Sequence, residues 1–174
     1  MNIILFGYRC SGKTTLGRRL ADRLSKSFVD TDDLIRKQFA IDSIAVIWQE
    51  YGEQVFRRTE TELTIEVCKR SDHVIALGGG SIMQPLARKA VAQAANTLRI
   101  YLYCSPVELY RRSCNDSNSA QARPHLTPLG GGIAEIESVL TERDPVYRAV
   151  ADKVFDVTQL KREQAFRDLI TLCI

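Results

Sequence analysis

"GYRCSGKTTL", residues 7–16, follows the short apolar run Ile3 to Phe6, and its reading decides the fold. A run without polar alternation suits a strand buried on both faces of a parallel sheet. Beyond Lys13, the apolar residues Leu16, Leu20, Ala21 and Leu24 recur at helical spacing, with Arg18, Arg19, Asp22 and Arg23 between them. The stretch therefore joins a buried strand to a helix N-terminus. In that place Gly7 and Gly12 can take backbone angles closed to other residues, so that the loop's N–H groups turn toward an anion and the helix dipole adds to their pull.

The pattern G-x4-G-K-[ST] is fully met, which assigns the loop to a nucleotide: Lys13 to its β- and γ-phosphates, and the Thr14 hydroxyl to Mg²⁺. Cys10, Ser11 and Thr15 complete the expected nucleotide-binding loop. The plainer alternative, a flexible glycine turn before a surface helix, is disfavoured by the strand and helix on either side.

Length and composition narrow the use of that nucleotide. The 174 residues, 45% of them hydrophobic, suit one domain over residues 1–174 with a proper core. No apolar run approaches the roughly 18 residues needed to span a bilayer, and "MNIILFGYR" is too short and wrongly flanked for a signal peptide, so no membrane association and a cytoplasmic location are expected. Cysteines 10, 68, 104, 114 and 173 are scattered and form no C-x-x-C pair, which argues against a disulfide framework and against zinc. His73 and His125 cannot supply a metal cluster. A net charge of +3 and 7% aromatic residues fall short of a nucleic-acid surface, and a small anionic substrate is expected instead, handled by a monomer.

Strand and helix signals alternate along the chain. "SFVDTDD" (27–33) reads as a strand ending in acids, residues 43–70 as mostly helix, "HVIALGGG" (73–80) as a buried strand running into glycines, and 84–95 as helix. "TLRIYLYC" (97–104) is a further buried strand, Pro106 opens a helix, residues 113–133 form a polar, Gly-rich loop, and 134–150 return to helix. "KVFDV" (153–157) is a last strand before a closing helix. The expected fold is a three-layer α/β/α arrangement with a parallel sheet of about five strands.

Ligands of such folds lie beyond the carboxyl ends of the strands, so the phosphate loop, Asp30 and Asp32, and Gly78, Gly79 and Gly80 should converge on one cleft. Phosphoryl transfer to an alcohol needs an anchored metal and a carboxylate that orients the attacking hydroxyl. In an extended "DTD", residues 30 and 32 point the same way, so one can serve the metal and the other the acceptor, leaving Asp33 to cap the next helix.

Taken together, "GYRCSGKTT", "DTD" (30–32), "GEQVFRRTE" (52–60), "LGGGS" (77–81), "ARPHL" (122–126) and "RDPVYRAVA" (143–151) resemble the shikimate kinases over nearly the whole chain. A P-loop alone fits many proteins; the ordered set is specific. The resemblance implies ATP as co-substrate, Mg²⁺, shikimate as acceptor and direct in-line transfer to its 3-hydroxyl. It further implies Asp32 as hydroxyl ligand and base, Asp30 as support of the metal through water, and Arg57 and Arg148 as the carboxylate-binding arginines. A planar guanidinium suits that anion in paired hydrogen bonds.

Under the same resemblance Gly79 and Gly80, with Gly78 before them, pack their backbone against the ring. Residues 113–133 match a lid whose Arg123 closes over the phosphates, and Arg112 matches an arginine stacked on adenine. Without the resemblance, Arg57 and Arg148 read as members of solvated ion-pair faces. "SCNDSNSAQA" (113–122) is longer than the family pattern, and "TQLKRE" (158–163) does not match its second adenine contact. The alternatives are a kinase for another small hydroxy acid such as gluconate, and a nucleotide-binding regulatory module without turnover.

Overall fold

The computed structural model describes residues 1–115 and 132–174. Its five strands are β1 (Asn2–Phe6), β2 (Ser27–Asp30), β3 (His73–Ala76), β4 (Thr97–Tyr103) and β5 (Lys153–Asp156). The helices among the described residues are α1 (Lys13–Leu24), α2 (Thr31–Phe39), α3 (Ile44–Val67), α4 (Pro85–Gln93), α5 (Pro106–Asn115), α6 (Gly132–Val150) and α7 (Arg162–Cys173), with a short 3₁₀ turn at Ser81–Met83. All strand pairings are parallel, in the order β2-β3-β1-β4-β5.

Burial follows the apolar pattern. Every residue of β1 is buried, as the central strand of a sheet covered on both faces requires. Leu16, Leu20 and Ala21 turn one stripe of α1 into the same core, where each fully buried leucine contributes about 1.5–3 kcal/mol relative to exposure. No described helix is long and apolar enough to cross a membrane.

The strand order positions the site. From β1 the chain moves outward to β2 and returns to β3, then crosses to β4 and β5 on the other side, so a crevice opens between the carboxyl ends of β1 and β3. The loop after β1 and the glycines after β3 face each other there: a Cβ on Gly79 would lie 3.4 Å from the Gly7 carbonyl oxygen. Gly7 itself has φ of 144°, and a Cβ there would meet the Leu102 carbonyl oxygen at 2.6 Å, so no side chain fits between the phosphate loop and β4.

Three local expectations are corrected. "DTD" is not extended: β2 ends at Asp30, and Asp32 stands in the first turn of α2. The cap of α2 is Asp30, whose side chain accepts from the Asp32 N–H at 2.9 Å, while Asp33 pairs with Arg36. The cap ends the strand because it satisfies a helix N–H that has no intrahelical partner. The expected, mostly helical stretch 43–70 is α3, with a kink at Gly52 (φ 79°, ψ 163°). At the borders of the expected loop 113–133, residues 113–115 belong to α5 and α6 begins at Gly132.

Candidate active site

The larger of two adjoining cavities, about 1110 Å³, is lined by the loop residues Cys10, Ser11, Gly12, Lys13, Thr14 and Thr15. Lys13 is buried, and its Nζ donates to the carbonyls of Gly7 (3.0 Å) and Tyr8 (2.8 Å), which holds the amine under the loop. Cys10 adopts φ of 64°, the left-handed conformation that the turn demands of a non-glycine residue. Thr14 Oγ1 donates to Asp30 Oδ2 at 2.7 Å, bringing the end of β2 to the start of α1.

Burial first, and then the charge of neighbouring Asp32, pushes Asp30 above the usual carboxylate range. A hydroxyl and a buried carboxylate with no ion pair among the described residues fit a hard divalent cation.

The far wall of this cavity carries Arg111, Arg112 and residues 157–162. Arg112 donates from Nη2 to the Val157 carbonyl (2.8 Å) and pairs with Glu108, tying α5 to the segment after β5. Glu108 is held down at about 2, chiefly by its hydrogen bond from Arg111 and then by Arg112. The stretch "VTQLKR" thus lines the same cavity as the phosphate loop although no motif marks it. Arg123 lies outside the described residues.

The smaller cavity, about 60 Å³, has Arg57, Arg143 and Arg9 on its polar wall, Gly79 and Gly80 as floor, and Trp48 and Phe56 on its apolar side. Arg57 donates to Glu60 Oε2 at 2.7 Å and lies over the Trp48 ring, 4.9 Å from its centroid. Glu60 is 1% exposed, and its other oxygen accepts from Ser81 Oγ at 2.9 Å. Burial raises the Glu60 pKa and the Arg57 charge opposes that rise. Gly78 is not part of this wall: its N–H donates to Thr31 Oγ1, and the place of a Cβ is taken by the carboxylates of Glu60 and Asp32.

Arg148 is not at the pocket. It is 48% exposed, pairs with Asp144 at 2.6 Å and covers the rings of Tyr101 and Tyr103. Arg143 stands there instead: its Nη1 and the Tyr147 hydroxyl both donate to the Gly79 carbonyl. The reason is helical phase. Positions 143 and 147 are one turn apart and share a face of α6, whereas 148 is rotated away with its i−4 partner Asp144. The buried Tyr147 was the available signal for which arginine points inward.

A Cβ on Gly80 would overlap the Arg57 guanidinium. Because the displaced atoms are the far end of a flexible side chain, Gly80→Ala is expected to leave the melting temperature nearly unchanged while lowering kcat/KM for the acceptor by about 10²-fold, the cost of a misplaced positioning group. Unchanged acceptor kinetics, measured beside a thermal melt, would show that Arg57 does not need this place.

Asp32 borders both cavities. A phosphate cleft sharing one carboxylate with a cationic pocket characterises a P-loop kinase for a small anionic acceptor. The chain belongs to the shikimate kinase family, whose model matches residues 9–173. It is 39% identical over 153 residues to a shikimate kinase of Nitrosococcus oceani, covering 88% of this chain and 76% of that protein. It is similar to a solved shikimate kinase from Acinetobacter baumannii in complex with shikimate, with a TM-score of 0.84, 32% identity and coverage of 99% of this chain and 89% of that one. A gluconokinase from Sinorhizobium meliloti matches at a TM-score of 0.52 and 15% identity, over 98% of this chain and 92% of that one, a likeness of fold alone.

Proposed function

We propose that the protein transfers the γ-phosphoryl group of ATP to the 3-hydroxyl of shikimate, giving shikimate 3-phosphate and ADP. The observation that carries this reading is the position of Asp32 on the border of the two cavities. ATP occupies the larger one, with its phosphates under the loop N–H groups and Lys13. Shikimate occupies the smaller one, its carboxylate against Arg57 and Arg143 and its ring over Gly79 and Gly80. Asp32 accepts the proton of the 3-hydroxyl as that oxygen bonds to the γ-phosphorus. The bond from phosphorus to the β,γ-bridging oxygen breaks, and its electron pair leaves with ADP.

Thr14 would hold Mg²⁺, with Asp30 behind it through water, and the ion when bound supplies neutralisation of phosphate charge. Lys13 does the same from the protein, and Arg123 is assigned to the phosphates as the charge shifts toward ADP. Arg112, on the cleft wall, is assigned to the adenine side.

A coupled assay of ADP formation tests the reading with three additions: shikimate, gluconate and no acceptor. ADP formation dependent on shikimate supports it. Turnover with gluconate instead would give the pocket to another hydroxy acid, and no turnover with either acceptor would make the chain a nucleotide-binding module.

A further inference from the structure

Arg9 belongs to the phosphate loop by sequence, yet its side chain borders the acceptor cavity and not the nucleotide cleft. It donates to Glu135 Oε1 at 2.7 Å. Glu135 stands in the first turn of α6 and is 0% exposed, while Arg9 is 19% exposed. A carboxylate buried this deeply draws strongly on any cation nearby.

Two other guanidinium groups share the pocket. Arg57 is matched by Glu60, whereas Arg143 bonds the Gly79 carbonyl and has no carboxylate partner among the described residues. Glu135 and Arg143 stand eight residues, about two turns, apart on α6, and both act on the buried Tyr8 hydroxyl. The Tyr8 pKa is raised by burial first, lowered by Arg9, raised by Glu135 and lowered by Arg143.

We propose that Arg9 is a positioning residue for the acceptor: by holding the Glu135 carboxylate to itself, it keeps the Arg143 charge directed at the acceptor's carboxylate. The inference rests on the reading of the pocket as a site for a carboxylate-bearing acceptor. It gives the Arg9–Glu135 pair a sign as well as a size. Without Arg9, the Glu135 charge falls more heavily on Arg143 and repels the incoming anion. Removing both charges restores the balance. A neutral acceptor is indifferent to either change.

Trp48, the chain's single tryptophan, borders the pocket and reports binding by fluorescence independently of turnover. Dissociation constants for shikimate and for its primary carboxamide are measured with wild type, Arg9→Met, and Arg9→Met combined with Glu135→Gln. Shikimate is expected to bind Arg9→Met about tenfold more weakly, the order expected for the loss of one cation bordering the pocket. The carboxamide is expected to bind both variants within about twofold of wild type, and the double variant to recover most of the shikimate affinity.

Equal losses for the two ligands, or no recovery in the double variant, would overturn the proposal and leave a purely structural ion pair. If Arg9→Met does not fold, Glu135→Gln alone decides: unchanged or tighter shikimate binding supports the proposal, and weaker binding overturns it. A wild-type protein that binds the carboxamide as well as shikimate would overturn the acceptor assignment itself, and this inference with it.

Discussion

Asp32→Asn is expected to lower kcat by about 10²-fold or more, the range for loss of a general base, with the nucleotide affinity and melting temperature close to wild type. The structure separates these effects. The α2 cap uses the backbone N–H of Asp32 and the side chain of Asp30, so the substitution leaves the helix start intact. The Asp32 charge is also one cause of the raised Asp30 pKa, so the variant should ease the ionisation of Asp30 and not oppose it. Rapid-quench measurement of the first turnover, beside calorimetric titration with ADP, checks the prediction. Near wild-type turnover would remove Asp32 from the chemistry.

The second large effect separates two arginines five residues apart on α6. Arg143→Lys keeps the charge but loses the planar fork and its bond to the Gly79 carbonyl, so the KM for shikimate should rise by about 10- to 100-fold, the span of losing a charged hydrogen bond. Arg148→Lys touches an exposed pair with Asp144 and should change KM by less than about threefold. Steady-state kinetics on both variants reads the contrast. The reverse ranking would return the acceptor's carboxylate to the outer face of the helix.

The contrast also shows where sequence reasoning reaches and where it stops. The buried strands were legible because strands covered on both faces are continuous apolar runs, as in Ile3 to Phe6 and residues 74–77. The phosphate loop was legible because its chemistry is local, held in a few consecutive residues.

Arg57 alone reads as a member of a solvated ion-pair face, yet its partner Glu60 is buried on α3 with Phe56, Thr64 and Val67 at helical spacing. That register was present in the sequence. It implied a buried carboxylate, which in turn requires a partner such as Arg57. The "DTD" geometry was misread because a strand can end in a side-chain cap as readily as continue, and the choice turns on one hydrogen bond. The Arg9–Glu135 pair was out of reach, since it joins residues 126 apart and no local periodicity encodes it.

A crystal structure of the protein with ADP, Mg²⁺ and shikimate tests the central claim most directly, because the claim is one of placement. The account predicts the shikimate 3-hydroxyl within about 2.6–3.2 Å of an Asp32 carboxylate oxygen and facing the ADP β-phosphate, with the substrate carboxylate bridged by Arg57 and Arg143. A carboxylate seated on Arg148, or a 3-hydroxyl turned away from Asp32, would contradict it.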